Sequence, residues 1–210
     1  MKFSKATISV VLMAAAGSAH PVAPVEDVKE ADLVPRQGGC ADIHVVFARG
    51  TTEIGTLGTI VGPPLSGALR STAGGRSTEV EGVPYPAAVS GFLAGGDRRG
   101  SATMAQMVTS KAAACPNTKI VMAGYSQGGQ LVHNAAEQLP ASVASRVSAA
   151  VIFGDPKNGE PVAQIPASRT MIICNSGDNI CSGGVLIFAP HLTYGADAGS
   201  AARFIAAQSA

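Results

Sequence analysis

Short apolar runs that alternate with helix-like stretches place the strongest constraint on the fold of this chain. Four of these runs are continuous and rich in β-branched residues, and a fifth is weaker: Ile43–Ala48, Ile120–Ala123, Ala149–Phe153 and Met171–Cys174, with Glu79–Val83 as the weaker one. Such runs are typical of strands that are buried on both faces. The stretches between and after them carry helical patterns, over Gly58–Leu69, Ser101–Ala114, Gly128–Leu139 and Ala198–Ala207. This alternation predicts an α/β fold with a doubly wound, mostly parallel five-stranded sheet and helices on both faces.

The N-terminus has the features of a secretory signal peptide over residues 1–19. Two lysines precede an apolar run of 11 residues, Ala6–Ala16, and the small residues Gly17–Ala19 follow it. A membrane anchor would need about 18 or more apolar residues, and no other segment approaches that length. We therefore predict a secreted, extracellular protein without a membrane span. Residues 20–36, which are charged and contain prolines, are expected to form a pro-segment, and residues 37–210 a single domain.

The charge balance argues against nucleic acid as a partner. The chain has 15 basic and 14 acidic residues, which gives a formal net charge of +1. No cluster of lysine and arginine could follow a phosphate backbone. We expect a monomer that needs no cofactor.

The four cysteines of an exported chain predict two disulfides rather than a metal site. Sequence alone allows three pairings. Cys174 and Cys181 are close enough to close a short loop. Cys40 and Cys115 each immediately precede a strand-like run, so they would meet at one edge of a parallel sheet. We predict the pairs Cys40–Cys115 and Cys174–Cys181.

The segment Gly124–Gly128, which reads Gly-Tyr-Ser-Gln-Gly, is the sharpest chemical signal. It follows a predicted strand and opens a predicted helix. A nucleophile elbow requires this context, because the serine sits on a strained turn where only glycines allow the backbone to approach closely. A simple glycine-rich turn could also match the pattern. The agreement of strand, helix and export favours Ser126 as a nucleophile.

A serine nucleophile needs a neighbouring imidazole to take its proton. Of the four histidines, His20 lies beside the signal cleavage site and His44 lies inside a strand that packs into the sheet. His133 lies about two turns along the helix that leads away from Ser126, where a surface or internally bonded histidine is expected. Elimination leaves His191 as the base.

Two aspartates could orient that imidazole, because the usual chain order in this fold class is nucleophile, acid, histidine. Asp178 lies in the loop that Cys174 and Cys181 would close, thirteen residues before His191. A rigid loop suits a carboxylate that must hold one tautomer, so Asp178 is favoured. Asp155 follows a strand in a Gly-Asp-Pro turn and stays as the alternative, since it could equally be a turn or capping residue.

Four motifs together resemble those of the fungal cutinases, over essentially all of residues 40–205. They are Ala48-Arg49-Gly50-Thr51-Thr52-Glu53, Gly124-Tyr125-Ser126-Gln127-Gly128, Cys174-Asn175-Ser176-Gly177-Asp178-x-x-Cys181 and Ala189-Pro190-His191-Leu192. The resemblance implies a small lidless α/β hydrolase of the cutinase and acetylxylan esterase family, with the same two disulfides and with a triad of Ser126, Asp178 and His191.

An oxyanion hole is expected beside this triad. The elbow geometry assigns it the backbone N–H of Gln127. The loop after the first strand would add the backbone N–H of Thr51, and the cutinase resemblance implies its hydroxyl as well, although cutinases commonly carry serine at this position. A helix-entry cap is the other interpretation of Thr51 and its neighbours.

Apolar residues near His191 predict a hydrophobic substrate. The residues expected to contact it are Tyr85, Val185, Leu186, Ile187 and Leu192. An exposed apolar rim around a serine nucleophile suits an aliphatic acyl chain or a polymer surface, such as the plant polyester cutin, and also short-chain esters. One alternative is an acetylxylan esterase, which would have a polar rim. The other is a secreted surface-binding protein without turnover.

Overall fold

The sheet has five strands, all of them parallel to their neighbours. A computed structural model describes residues 39–210, so the predicted signal peptide, the predicted pro-segment and the first two residues of the predicted domain lie outside the described residues. The strands are β1 (Ile43–Ala48), β2 (Thr78–Gly82), β3 (Lys119–Tyr125), β4 (Val147–Phe153) and β5 (Thr170–Ile173). Their order across the sheet is β2-β1-β3-β4-β5. The predicted five-stranded α/β sheet is confirmed, and it is wholly parallel.

In the described part of the chain, six α-helices connect or follow the strands. They are α1 (Gly62–Thr72), α2 (Val89–Leu93), α3 (Arg98–Ala114), α4 (Gln127–Gln138), α5 (Ala141–Ala144) and α6 (Ala198–Gln208). Short 3₁₀ turns cover Ala167–Arg169, Ile180–Ser182, Ala189–Leu192 and Tyr194–Asp197. No helix within residues 39–210 is both long enough and apolar enough to span a bilayer.

Helix α1 begins four residues later than the sequence pattern predicts. Gly58 has a φ of +66°, which is outside the helical region. Two prolines occupy the first turn of α1. Proline is favoured there because its fixed φ suits a helix and its missing N–H would have no acceptor. The prolines therefore mark the helix start better than the apolar period does.

Two hydrophobic cores form on opposite faces of the sheet because successive strand residues face opposite sides. On one face, Val45 and Phe47 of β1 pack in the cluster that contains residues of α1 and α6. On the other face, Val46 and Ala48 pack with residues of α3 and α4. Strand β1 is fully buried along its length, which explains its uninterrupted apolar sequence.

The strand order places a crevice at the carboxyl ends of β1 and β3. The chain leaves β1 toward β2 on one side, and β3, β4 and β5 follow on the other side. In doubly wound sheets this reversal point is where ligands bind, because the two loops that follow the strands separate there. The loops after Ala48 and Tyr125 are thus brought together at one edge.

The structure contains both disulfides in the predicted pairing. Cys40–Cys115 joins residues 75 positions apart, and Cys174–Cys181 joins residues 7 positions apart. The first connects the segment before β1 to the end of α3. The second closes the short loop after β5.

We predict that loss of the two disulfides has unequal effects on stability. The chain-entropy model gives about 4–5 kcal/mol of unfolding free energy for the long bridge and about 2–3 kcal/mol for the short one. Urea unfolding of the double variants Cys40→Ser/Cys115→Ser and Cys174→Ser/Cys181→Ser measures this difference. An equal loss in both variants would contradict it.

Candidate active site

Ser126 occupies a sharp turn between β3 and α4. Its φ of 57° and ψ of −121° lie in a region that non-glycine residues rarely adopt. The turn is held by two backbone bonds: Ser126 N–H donates to the Phe153 carbonyl over 2.9 Å, and Gly129 N–H donates to the Ser126 carbonyl over 2.8 Å. Strain of this kind costs about 1–3 kcal/mol and persists where the surroundings enforce it.

The two glycines of the motif are required by close backbone contacts. A Cβ atom at Gly128 would lie 1.9 Å from the carbonyl oxygen of Ala48. A Cβ atom at Gly124 would lie 2.3 Å from the carbonyl oxygen of Gly128. Neither contact can be relieved by a side-chain movement, because the opposing atoms belong to the backbone. The glycines therefore let the start of α4 press against the end of β1.

Three side chains from separate loops form a continuous hydrogen-bonded chain. Ser126 Oγ lies 2.9 Å from His191 Nε2, and His191 Nδ1 lies 2.8 Å from Asp178 Oδ2. All three residues are at most 3% exposed. With Asp178 ionised, Nδ1 carries the proton and Nε2 is free to accept the hydroxyl proton of Ser126. This geometry is that of a nucleophile, a base and an orienting acid.

The Asp178 carboxylate is held by three donors. Besides His191, the Ile180 N–H donates to Oδ1 over 3.0 Å and the Tyr194 hydroxyl donates to Oδ2 over 2.6 Å. Burial opposes ionisation, but the bonds from His191, Tyr194 and Ile180 outweigh it and hold the pKa of Asp178 below its usual value. Tyr194 could not be recognised from the sequence, since a lone tyrosine three residues after the histidine has no distinguishing pattern.

The alternative acid, Asp155, lies elsewhere and has a different partner. Its Oδ2 lies 2.9 Å from Nε2 of His133, and both residues are buried. This pair links α4 to the turn after β4. His44 is also fully buried, with Nδ1 2.9 Å from Glu79 of the edge strand. Within residues 39–210, no group of three His, Cys, Asp or Glu side chains could hold a metal ion.

The structure brings Thr51 and Gln127 together beside Ser126. Gln127 is the first residue of α4, so its backbone N–H has no acceptor within that helix. Its side-chain Nε2 donates to Thr51 Oγ1 over 2.9 Å and to the Ala88 carbonyl over 2.9 Å. Because the amide nitrogen is only a donor, the Thr51 hydroxyl accepts here and keeps its own proton free for the cleft. The side chain of Gln127, for which the sequence predicts no role, thus orients the hydroxyl of Thr51.

Glu53 fixes the loop that carries Thr51. Its carboxylate accepts from the backbone N–H groups of Gly50, Thr59 and Ile60 over 2.7, 2.8 and 2.9 Å. Its carbonyl accepts from Arg49 Nε over 2.6 Å. The run after β1 is therefore a closed and internally bonded loop, rather than only a helix-entry cap.

A cleft of about 580 Å³ opens above the Ser126 side chain. Five of its lining residues are large, apolar and more than half exposed, and we call them the apolar rim: Ile54, Val89, Val185, Ile187 and Leu192. Their exposure means that no described segment lies over them. Thr51, Ser126 and His191 also line the cleft.

Two of the residues expected to contact substrate do not line this cleft. Tyr85 is only 8% exposed, its hydroxyl donates to the Arg49 carbonyl, and the Arg49 guanidinium lies over its ring. The expectation of direct contact between Tyr85 and substrate is therefore corrected. The Tyr85 side chain instead holds Arg49, at the start of the loop that carries Thr51. Leu186 is 58% exposed but lies outside the lining, next to Val185 and Ile187.

Comparison with known proteins gives a consistent result at the level of sequence. A family model described as Cutinase matches residues 39–209. A cutinase of Botryotinia fuckeliana is 61% identical over 166 residues, which cover 79% of this chain and 82% of the relative. Cutinase pbc1 of Pyrenopeziza brassicae is 50% identical over 177 residues, which cover 84% and 87%.

Solved structures show the same similarity. The Trichoderma reesei cutinase in complex with a C11Y4 phosphonate inhibitor superposes with a TM-score of 0.79 and 47% identity, over 81% of this chain and 78% of that one. An acetylxylan esterase superposes with a TM-score of 0.65 and 26% identity, over 81% of this chain and all of that one.

We predict that substitution of the two buried aspartates has different effects, on turnover for Asp178 and on thermal stability for Asp155. Asp178→Asn should lower turnover of p-nitrophenyl butyrate by about 10³–10⁴-fold, because an amide has no negative charge and can donate through its NH₂ group, so it no longer holds the imidazole in one tautomer. Asp155→Asn should lower the thermal midpoint instead, because it breaks a buried pair with His133 that makes no hydrogen bond to the triad, and turnover of the folded fraction should stay near that of the wild type. Steady-state kinetics and thermal unfolding of both variants test this, and the reverse pattern would make Asp155 the acid.

Proposed function

Because the chain belongs to the cutinase family, we propose that it is an exported, monomeric serine esterase that hydrolyses cutin and soluble short- to medium-chain esters. Members of this family are carboxylic ester hydrolases. The observation that carries the proposal is the hydrogen-bonded chain Ser126–His191–Asp178 at the floor of a cleft with an apolar rim. The two disulfides support export, since such bonds persist in oxidising environments.

Acylation begins at the Ser126 hydroxyl. Oγ attacks the ester carbonyl carbon while His191 Nε2 takes the hydroxyl proton, and Asp178 stabilises the imidazolium that forms. The carbonyl oxygen becomes an oxyanion, which accepts from the Gln127 N–H and from the N–H and hydroxyl of Thr51. Collapse of the tetrahedral intermediate breaks the bond to the alcohol oxygen, and His191 returns its proton to that oxygen.

Deacylation repeats these steps with water. His191 Nε2 takes a proton from the water molecule, whose oxygen attacks the acyl carbon of the acyl-enzyme. The same oxyanion donors stabilise the second intermediate. The acid product then leaves, and Ser126 Oγ recovers its proton from His191. Each preorganised donor contributes about 3–4 kcal/mol to such steps.

The apolar rim supports a polyester substrate. Its five side chains are already exposed and surround the cleft, so an acyl chain or a polymer surface can contact them without an opening movement. Large exposed apolar patches are unusual on monomeric proteins and mark contact sites.

An acetylxylan esterase activity is the second candidate, because the fold is shared with such an enzyme. A sugar ester would call for polar side chains around the cleft, whereas the rim here is apolar. A binding protein without turnover would have no need of a complete triad at hydrogen-bonding distance. Both observations favour the polyester esterase.

We predict that Ser126→Ala abolishes ester hydrolysis and covalent labelling by an alkyl phosphonate. The nucleophile is removed, so only the residual effect of the oxyanion donors and binding site remains. Intact-protein mass spectrometry measures the label, and Ser148→Ala, at the start of β4 and away from the cleft, serves as the control with normal labelling. Labelling of Ser126→Ala at the wild-type rate would refute the assignment.

We also predict that Ile187→Asp affects insoluble substrates more than small ones. A charge on the rim should weaken contact with a polyester film by roughly tenfold or more, since an isoleucine contributes about 1.5–3 kcal/mol when buried. Hydrolysis of p-nitrophenyl acetate should change little, because its acyl group barely reaches the rim. Film adsorption and product release are compared with those of Ala141→Asp, an equal charge change at an exposed residue of α5. Equal losses on both substrates would contradict the polyester assignment.

A further inference from the structure

Tyr194 places a buried hydroxyl directly on the acid of the triad. The residue is fully buried, and its hydroxyl donates to Asp178 Oδ2 over 2.6 Å. The same oxygen atom accepts from His191 Nδ1. The Tyr194 hydroxyl in turn accepts from the Asn175 N–H over 2.9 Å. The hydroxyl is therefore fixed from both sides, as an acceptor from the loop and as a donor to the carboxylate.

The Tyr194 ring also packs against the imidazole. The ring centroids of Tyr194 and His191 are 5.9 Å apart at an interplanar angle of 88°, an edge-to-face arrangement. Gly154, with a φ of +59°, makes room for both rings, since a Cβ atom there would lie 2.7 Å from Tyr194 and 2.9 Å from His191. A phenylalanine would fill the same space. Packing alone therefore does not account for the hydroxyl.

We propose that Tyr194 is a positioning residue of the esterase, which acts through Asp178 by fixing the plane of its carboxylate and by sharing the charge of Oδ2 with His191. The inference rests on the proposed function. It assigns to Tyr194 a role in the reaction that its place in the core does not require.

The bonds on the two carboxylate oxygens explain the positioning. The Ile180 N–H holds Oδ1, and Tyr194 and His191 together hold Oδ2. The carboxylate cannot rotate without breaking one of these bonds. Without the tyrosine hydroxyl, only His191 would remain on Oδ2. Burial, followed by the bond to Asp178, raises the pKa of Tyr194 well above its usual value, so the hydroxyl stays a donor throughout the working pH range.

The charge on Oδ2 sets the balance between neutral and protonated imidazole. A carboxylate that shares its charge with a hydroxyl attracts the imidazolium less than one that does not. The other polar groups near the imidazole are the Ser126 hydroxyl and Tyr125, whose hydroxyl donates to the His191 carbonyl over 2.8 Å. Glu53 lines the same cleft, with its carboxylate bonded to backbone N–H groups.

The test is Tyr194→Phe, which removes the hydroxyl and keeps the ring. The matched control is Thr118→Val, which removes a buried hydroxyl that bonds the Ala41 carbonyl near the opposite end of the sheet. For p-nitrophenyl butyrate we expect Tyr194→Phe to lower kcat by roughly tenfold with KM nearly unchanged, since only the orientation of the base is impaired. Phosphonate titration of active sites normalises kcat to the folded fraction, so that a loss of stability is not counted as a loss of turnover.

The pH profile distinguishes positioning from stability. With more charge on Oδ2, the imidazolium form is favoured more strongly, so the acid limb of the kcat/KM profile should move to higher pH than in the wild type. The deshielded proton between His191 and Asp178 should shift in the NMR spectrum of the variant. Neither readout should move in Thr118→Val.

A Tyr194→Phe profile that superimposes on the wild type, with kcat lowered no more than in Thr118→Val, would overturn the inference and leave the esterase assignment standing. A wild-type protein that hydrolyses no ester would overturn the proposed function and this inference with it.

Discussion

The contact between Gly128 and the carbonyl of Ala48 is the constraint on which the rest of the site depends. It presses the first turn of α4 against the end of β1, at the point where the strand order reverses. Any side chain at this position would separate the two elements. Because they touch, the serine after β3 and the threonine loop after β1 lie on the same crevice. The strained backbone of Ser126 is a consequence of this close approach, and the bond from Ser126 N–H to Phe153 maintains it.

Two carboxylates organise the cleft, and both are held in place by donors. Asp178 accepts from His191, Tyr194 and the Ile180 N–H, and Glu53 accepts from three backbone N–H groups. A carboxylate beside a developing oxyanion would slow the reaction by repulsion. The backbone N–H groups that donate to Glu53 offset its negative charge and fix the loop, so the proposed oxyanion site at Thr51 gains rigidity from a residue whose charge is itself unfavourable there. Asp178 has the favourable sign, and its donors fix its direction instead.

The features that could be predicted from the sequence are those that local residue patterns determine. The buried strands, the elbow and the pairing of the cysteines follow from hydrophobic runs, glycine spacing and chain order. The start of α1 was misplaced because a glycine with positive φ and two prolines outweighed the apolar period. Tyr85 was assigned to substrate contact because an aromatic residue in an apolar loop gives no sign of which way it faces. The hydroxyl of Tyr194 and the amide of Gln127 were not identified because each acts across the fold, on a partner 16 or 76 positions away.

Asp178 and two residues of the apolar rim, Val185 and Ile187, share one loop. Asn179 directly follows Asp178, and its side-chain oxygen accepts from the Leu186 N–H over 3.0 Å. Its carbonyl accepts from the Gly184 N–H over 2.9 Å, so the apolar segment that begins at Val185 is anchored beside the acid. The disulfide Cys174–Cys181 closes the turn that contains both Asp178 and Asn179. Since this loop carries both Asp178 and the rim residues Val185 and Ile187, these two apolar side chains can stay exposed to solvent without loosening the carboxylate.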